Sequence, residues 1–155
     1  MERQMLRTLF IGGILALPFT FFRRNIKERA ILFFFTGYAA TFLAQMVVGK
    51  KMVKYPVRPM PKYFQTNILY EQLLLPLMSL WFNHTTRRSR LPGIVGQAFL
   101  YSGAHTLIEY GIEKKTRLVQ WKKWSGFTNI CSIIGLLLAT KGVLSVIRWL
   151  AKKLG

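Results

Sequence analysis

Glu71, His105 and Glu109 are the side chains of this sequence whose types could move a proton, hold a cation or anchor a hydrogen-bond network. The chain has only five acidic residues and two histidines among 155. That three of these seven groups fall within or beside apolar runs is therefore a costly arrangement. His105 and Glu109 stand four apart, which puts them on one face of a helix. Asn67 lies one turn before Glu71, and Pro76 removes the backbone donor that would have bonded the Gln72 carbonyl. Gln45 completes the set of polar groups set in apolar surroundings.

The elements that must carry these groups can be read from the spacing of charge. Hydrophobic residues make up 52% of the chain, yet 23 Lys and Arg against five Glu give a net charge of +18. Residues 8–22, 30–48, 91–108 and 124–140 carry no charge, and 63–82 is interrupted only by Glu71. A membrane-spanning helix needs about 20 mostly apolar residues at 1.5 Å rise each. The expected fold is an all-α integral membrane bundle in one domain, with about five transmembrane helices over 6–22, 30–48, 63–82, 91–110 and 124–147. A soluble bundle would show polar helix faces, whereas these runs are apolar all round. A nucleic-acid binder would not separate its basic clusters by such runs. Arg3 and Arg7 before an apolar run resemble a signal peptide, but no small-x-small cleavage pattern follows, so an uncleaved first span is expected. The lone Cys131 falls in the last span and permits no intramolecular disulfide.

Five crossings bring the N-terminus, the second-to-third connection and the fourth-to-fifth connection to one side, which carries twelve basic residues against eleven on the other. Counting the connections alone, ten face seven, which favours a cytoplasmic N-terminus. Near-equal charge also permits dual insertion. On this reading Glu71 lies near the midplane, and His105 lies roughly 6 Å from the centre of its span toward the N-terminal side. Gln45, Asn67, Glu71, His105 and Glu109 then converge on one leaflet from three helices, with only Lys141 in the other half.

A charged group at the bilayer centre costs about 2.5–3.5 kcal/mol on insertion scales, so the cluster calls for a reason. Three stay open. One is a polar clasp in which Glu71 bonds His105 across adjacent helices. A second is a water-filled vestibule with Glu71 as a proton or cation site and His105 as a relay. A third is a lipid-headgroup or metal site using His105 and Glu109, although one such pair falls short of the three or four ligands of a zinc site. No metal, cofactor or catalytic residue is assigned. An intramembrane hydrolase built on Ser102, His105 and Glu109 would place nucleophile and base three apart on one helix, a geometry that rarely brings them together.

The long connection from Gly49 to Lys62 has three prolines in six residues, which excludes helix and favours an extended strip. Lys50, Lys51, Lys54, Arg58 and Lys62 there, with Lys114, Lys115 and Arg117 in the fourth-to-fifth connection, are candidate contacts for anionic lipid headgroups or a partner protein. Small residues on the second span (Gly37, Ala40, Ala44), with Gly12-Gly13, Gly93, Gly96 and Gly135, allow close helix packing and a homo-oligomer. The functional expectation is a non-enzymatic structural or interaction component. The alternative is a small transporter or proton/cation-coupled channel centred on the Glu71–His105 pair.

Two segments carry a resemblance. Tyr55-Pro56-Val57-Arg58-Pro59-Met60-Pro61-Lys62-Tyr63-Phe64, then Glu71 and Pro76, is one. Ile108-Glu109-Tyr110-Gly111-Ile112-Glu113-Lys114-Lys115-Thr116, then Trp121 and Trp124, is the other. With these motifs the chain resembles a group of small, uncharacterised multi-span membrane proteins of spore-forming bacteria. The resemblance implies a bacterial cytoplasmic membrane and places the recurrent residues in two connections on one side. It implies no reaction.

Overall fold

The computed structural model describes residues 1–22 and 25–155. Arg23 and Arg24, in the first basic turn, lie outside the described residues. The fold is all-α, with α1 (Glu2–Phe21), α2 (Ile26–Gly49), α3 (Leu75–Thr85), α4 (Leu91–Lys115) and α5 (Gly126–Leu154). Local signals fit these boundaries. Pro92 stands in the first turn of α4, where its missing N–H costs nothing. The Ser125 side chain caps α5 by accepting from the Thr128 N–H. Lysines close the last turns of α4 and α5, where cations complement the helix dipole. Among the described residues, α1, α2 and α5 are long and apolar enough to cross a membrane. The fourth helix is also long, but Gln97, Ser102, His105, Thr106 and Glu109 make it more polar.

The third helix departs most from its expected bounds. Residues 61–67 are turns, bends or irregular backbone rather than helix. Asn67 Oδ1 accepts from the Tyr70 N–H at 3.4 Å in the manner of an N-cap. A π-helical turn, Tyr70–Leu74, then leads into α3, with the Leu75 N–H bonded to the Tyr70 carbonyl. Pro76 explains the wider turn, because its ring would crowd the carbonyl four residues back in a regular α-helix. Glu71 therefore sits in the first turn of its helix instead of near mid-helix, as the expected start at residue 63 had placed it.

The helices alternate in direction. At one end α2 starts and α5 finishes, joined by Arg148 and Glu28 at 3.0 Å. At that same end Lys141 Nζ donates to the Thr86 carbonyl and hydroxyl at 3.0 and 2.8 Å, capping the C-terminus of α3. The Lys141 ammonium thus meets the negative end of a helix dipole. At the opposite end the two long connections meet in a two-residue antiparallel ladder, β1 (Val53–Lys54) with β2 (Gln120–Trp121).

The interior combines apolar and polar side chains. Phe82, Ala98 and Leu137 are fully buried, and so are Thr36, Ser79, Ser102 and Thr140. The Thr36 and Ser79 hydroxyls lie 2.9 Å apart across α2 and α3, and Asn83 Nδ2 donates to Thr140 Oγ1 across α3 and α5 at 2.8 Å. The outward faces carry Phe19, Phe34, Tyr38, Phe42, Leu100, Leu107 and Phe127, all exposed. Small residues divide by position. Gly13 and Gly37 are buried against the side chains of Leu73 and Gln72, leaving no room for a Cβ, whereas Gly12, Gly96 and Gly135 meet nothing nearby.

Candidate functional site

The polar residues gather at the end of the bundle under the ladder, but in two groups instead of one. The first surrounds Glu71, whose side chain is 1% exposed. Its Oε2 accepts from the Thr66 hydroxyl at 3.1 Å, while Oε1 has no hydrogen-bond partner among the described residues. Beside it, Gln72 reaches across to α2 and donates to the Gly37 carbonyl and the Thr41 hydroxyl.

The second group lies between the π turn, α4 and α5. The Tyr70 hydroxyl bonds His105 Nε2. On the other side of the imidazole, Nδ1 lies 3.7 Å from Glu109 Oε2, too long for a hydrogen bond and short enough for an ion pair if the ring is protonated. Glu109 Oε2 accepts from Asn129 Nδ2 at 2.7 Å; the same amide nitrogen reaches Thr106 Oγ1 at 3.2 Å, and Asn129 Oδ1 accepts from the Trp124 indole. A cavity of about 160 Å³ borders this group, lined in part by Tyr55, Asn67, Tyr70, His105 and Glu109. Burial, followed by the Glu109 and Glu71 carboxylates, raises the Tyr55 phenol above its ordinary range, so it remains a hydroxyl.

The expected Glu71–His105 clasp is thus not formed. Tyr70 faces His105, and the neighbouring Glu71 points elsewhere, because successive residues on a helix project about 100° apart. Asn67 serves as a cap, and Gln45 is exposed beside residues 63–66. His105 and Glu109 have no third His, Cys, Asp or Glu with which to hold a metal among the described residues. Asn129, Thr66 and Tyr70 belong to the site and were missed from sequence. Amides and hydroxyls inside uncharged runs were the signal, since each must find a partner once water is excluded.

The basic residues lie on the connections that form the cap. Lys50, Lys51, Lys54, Lys62, Lys114, Lys115 and Arg117 are exposed. The strip between β1 and the π turn is folded rather than extended along a surface. Val53, Leu118 and Val119 are buried beneath it, the Val57 N–H bonds the Arg117 carbonyl, and the Lys122 and Lys123 backbone N–H groups donate to the Met52 carbonyl. Met60 takes a left-handed φ of 47°, letting the chain double back so that the Tyr63 and Phe64 amides reach its carbonyl.

Arg58 differs from the other cations. Its Nε donates to the Phe64 carbonyl at 2.6 Å and its Nη1 to the Tyr55 carbonyl at 2.8 Å, so it ties the loop to itself. Arg58→Ala should loosen the cap by about 2–3 kcal/mol, the scale of losing charge-assisted hydrogen bonds. Hydrogen exchange across residues 53–66 should accelerate, with the helix interiors unchanged. Arg58→Lys should rescue poorly, because an ammonium cannot reproduce a rigid fork of donors. Unaltered exchange in Arg58→Ala would contradict this role.

The fold and site define an all-α bundle with a paired-loop cap and a polar network beneath it. No protein-family model, curated protein or solved structure matches the chain.

Proposed function

We propose that this chain is a five-span protein of a bacterial cytoplasmic membrane, acting as a non-enzymatic component that holds anionic lipid or a partner protein at its basic cap. The observation that carries this reading is the inverted distribution of polarity. Hydroxyl and amide groups pair with one another in the interior, large apolar side chains cover the outward helix faces, and exposed cations sit on the connections. In water such outward faces would be uncovered apolar surface, whereas in lipid they are solvated and the internal hydrogen bonds fix helix register. On this reading the third and fourth helices cross as partners of α1, α2 and α5, against which they pack. The bacterial setting rests on the resemblance of the proline-rich connection and the Ile108–Thr116 segment.

A surface cation on an anionic leaflet contributes about 1 kcal/mol, so six of them amount to a strong preference. The test is lipid retention by the purified chain, measured with phosphatidylglycerol and phosphatidylcholine of matched acyl chains. The parent should retain an excess of phosphatidylglycerol. Replacing Lys50, Lys51, Lys54, Lys114, Lys115 and Arg117 together with Gln should remove most of that excess. Equal retention of both lipids by the parent would defeat the reading. The transporter alternative needs Glu71 and His105 to share a proton, and they face different neighbours. A pH-driven ion flux in proteoliposomes that vanishes in Glu71→Gln would restore it.

A further inference from the structure

Between α1, the proline-rich connection and the π turn runs an open groove of about 720 Å³, within the 300–1,000 Å³ of ordinary ligand sites. Its polarity is graded along α1. Arg3 and Arg7 line its part nearest the start of α1, and Phe10 and Ile14 continue the same helical face toward the middle of that helix. The far wall is Ile68, Leu69 and Leu73, and the roof is the segment 56–61. Arg58 also lines the groove, its guanidinium already fixed by the Phe64 and Tyr55 carbonyls. Among the described residues, no carboxylate lines it.

Three guanidinium groups above an apolar channel match the charge pattern of one ligand class, an anionic phospholipid. From Arg3 to Ile14 the helix rises about 16 Å, close to half of the roughly 30 Å hydrocarbon core. The groove is therefore one leaflet deep. Arginine forks suit phosphate oxygens, and a guanidinium held in place before binding loses less freedom on contact. We infer that this groove is a specific site for one anionic phospholipid, its phosphate among Arg3, Arg7 and Arg58 and an acyl chain against Phe10, Ile14, Ile68 and Leu73. The inference rests on the membrane reading above and narrows it from a basic face to one seat.

Native mass spectrometry of the full chain, titrated with the same two lipids, tests it. One phosphatidylglycerol should stay bound more tightly than the rest, and it should persist when the six cap cations are replaced by Gln, since none of them lines the groove. Arg3→Gln with Arg7→Gln should weaken that one lipid by about 10- to 30-fold, from about 1 kcal/mol per cation. Ile68→Trp, which fills the channel without changing charge, should weaken it as well, with thermal unfolding confirming an intact fold. If the lipid survives the arginine pair or the tryptophan, or leaves with the six cap cations, the groove is not its seat, although the basic-face reading stands. If the parent retains both lipids equally, both readings fall.

Discussion

Asn129→Leu is expected to destabilise the bundle by about 3 kcal/mol in reversible unfolding from mixed detergent micelles. Asn129 is 6% exposed and joins Glu109, Thr106 and Trp124 through three hydrogen bonds. In bilayers such bonds average about 0.6 kcal/mol each, which accounts for roughly 2 kcal/mol. The rest comes from what the substitution leaves behind. Glu109 Oε2 would lose its 2.7 Å donor and keep His105 at 3.7 Å, too far for a hydrogen bond, with the Trp121 side chain beside the carboxylate. A buried acceptor without a partner costs about 1–3 kcal/mol. The double variant with Glu109→Leu removes the stranded carboxyl, so it should be more stable than Asn129→Leu alone. A double variant that is worse than the single would show that Asn129 acts only by filling space.

The second large effect is all or none. In a Cys131→Ser background, single cysteines at Tyr63, Ser125 and Leu154 should label with an impermeant maleimide from two different sides. Tyr63→Cys and Ser125→Cys should share one side, because β1 pairs with β2 and the two connections cannot be separated by a membrane. Leu154→Cys, at the far end of α5, should label from the other. These positions are neutral by design, since the basic residues are so evenly divided that one removed charge could tilt the orientation. The first two should be protected in intact cells and react in inverted vesicles, as the count of basic residues in the connections favours. Labelling of Tyr63→Cys and Ser125→Cys from opposite sides would be incompatible with the fold.

The long uncharged runs made all five helices legible, because a run free of charge sets both helix and boundary. Helix ends were legible only to within a few residues. The early start assigned to the third helix failed at residues 63–66, where Tyr63, Phe64 and Thr66 look apolar enough to continue a span but belong to the folded cap. That early start placed Glu71 near the middle of a helix whose first turn it occupies. The gathering of Asn67, Glu71, His105 and Glu109 at one end was readable by counting residues along helices of known direction. Their division was not, because it depends on helix rotation. Tyr70, one position before Glu71, meets the histidine instead. Arg58 looked like its basic neighbours, and nothing in composition separates a cation that binds its own loop from one that faces solvent.

The pairing of Val53–Lys54 with Gln120–Trp121 also has a consequence for biosynthesis. Between Lys54 and Gln120 lie 65 residues, which takes roughly 3–13 s to translate at about 5–20 residues per second. During that interval α1 and α2 have emerged, yet Val53 has no ladder partner and the Arg58 loop lacks its bond to Arg117. The cap is therefore a late product of synthesis, completed only after the fourth helix has been made, and the proline-rich loop stays open while it waits.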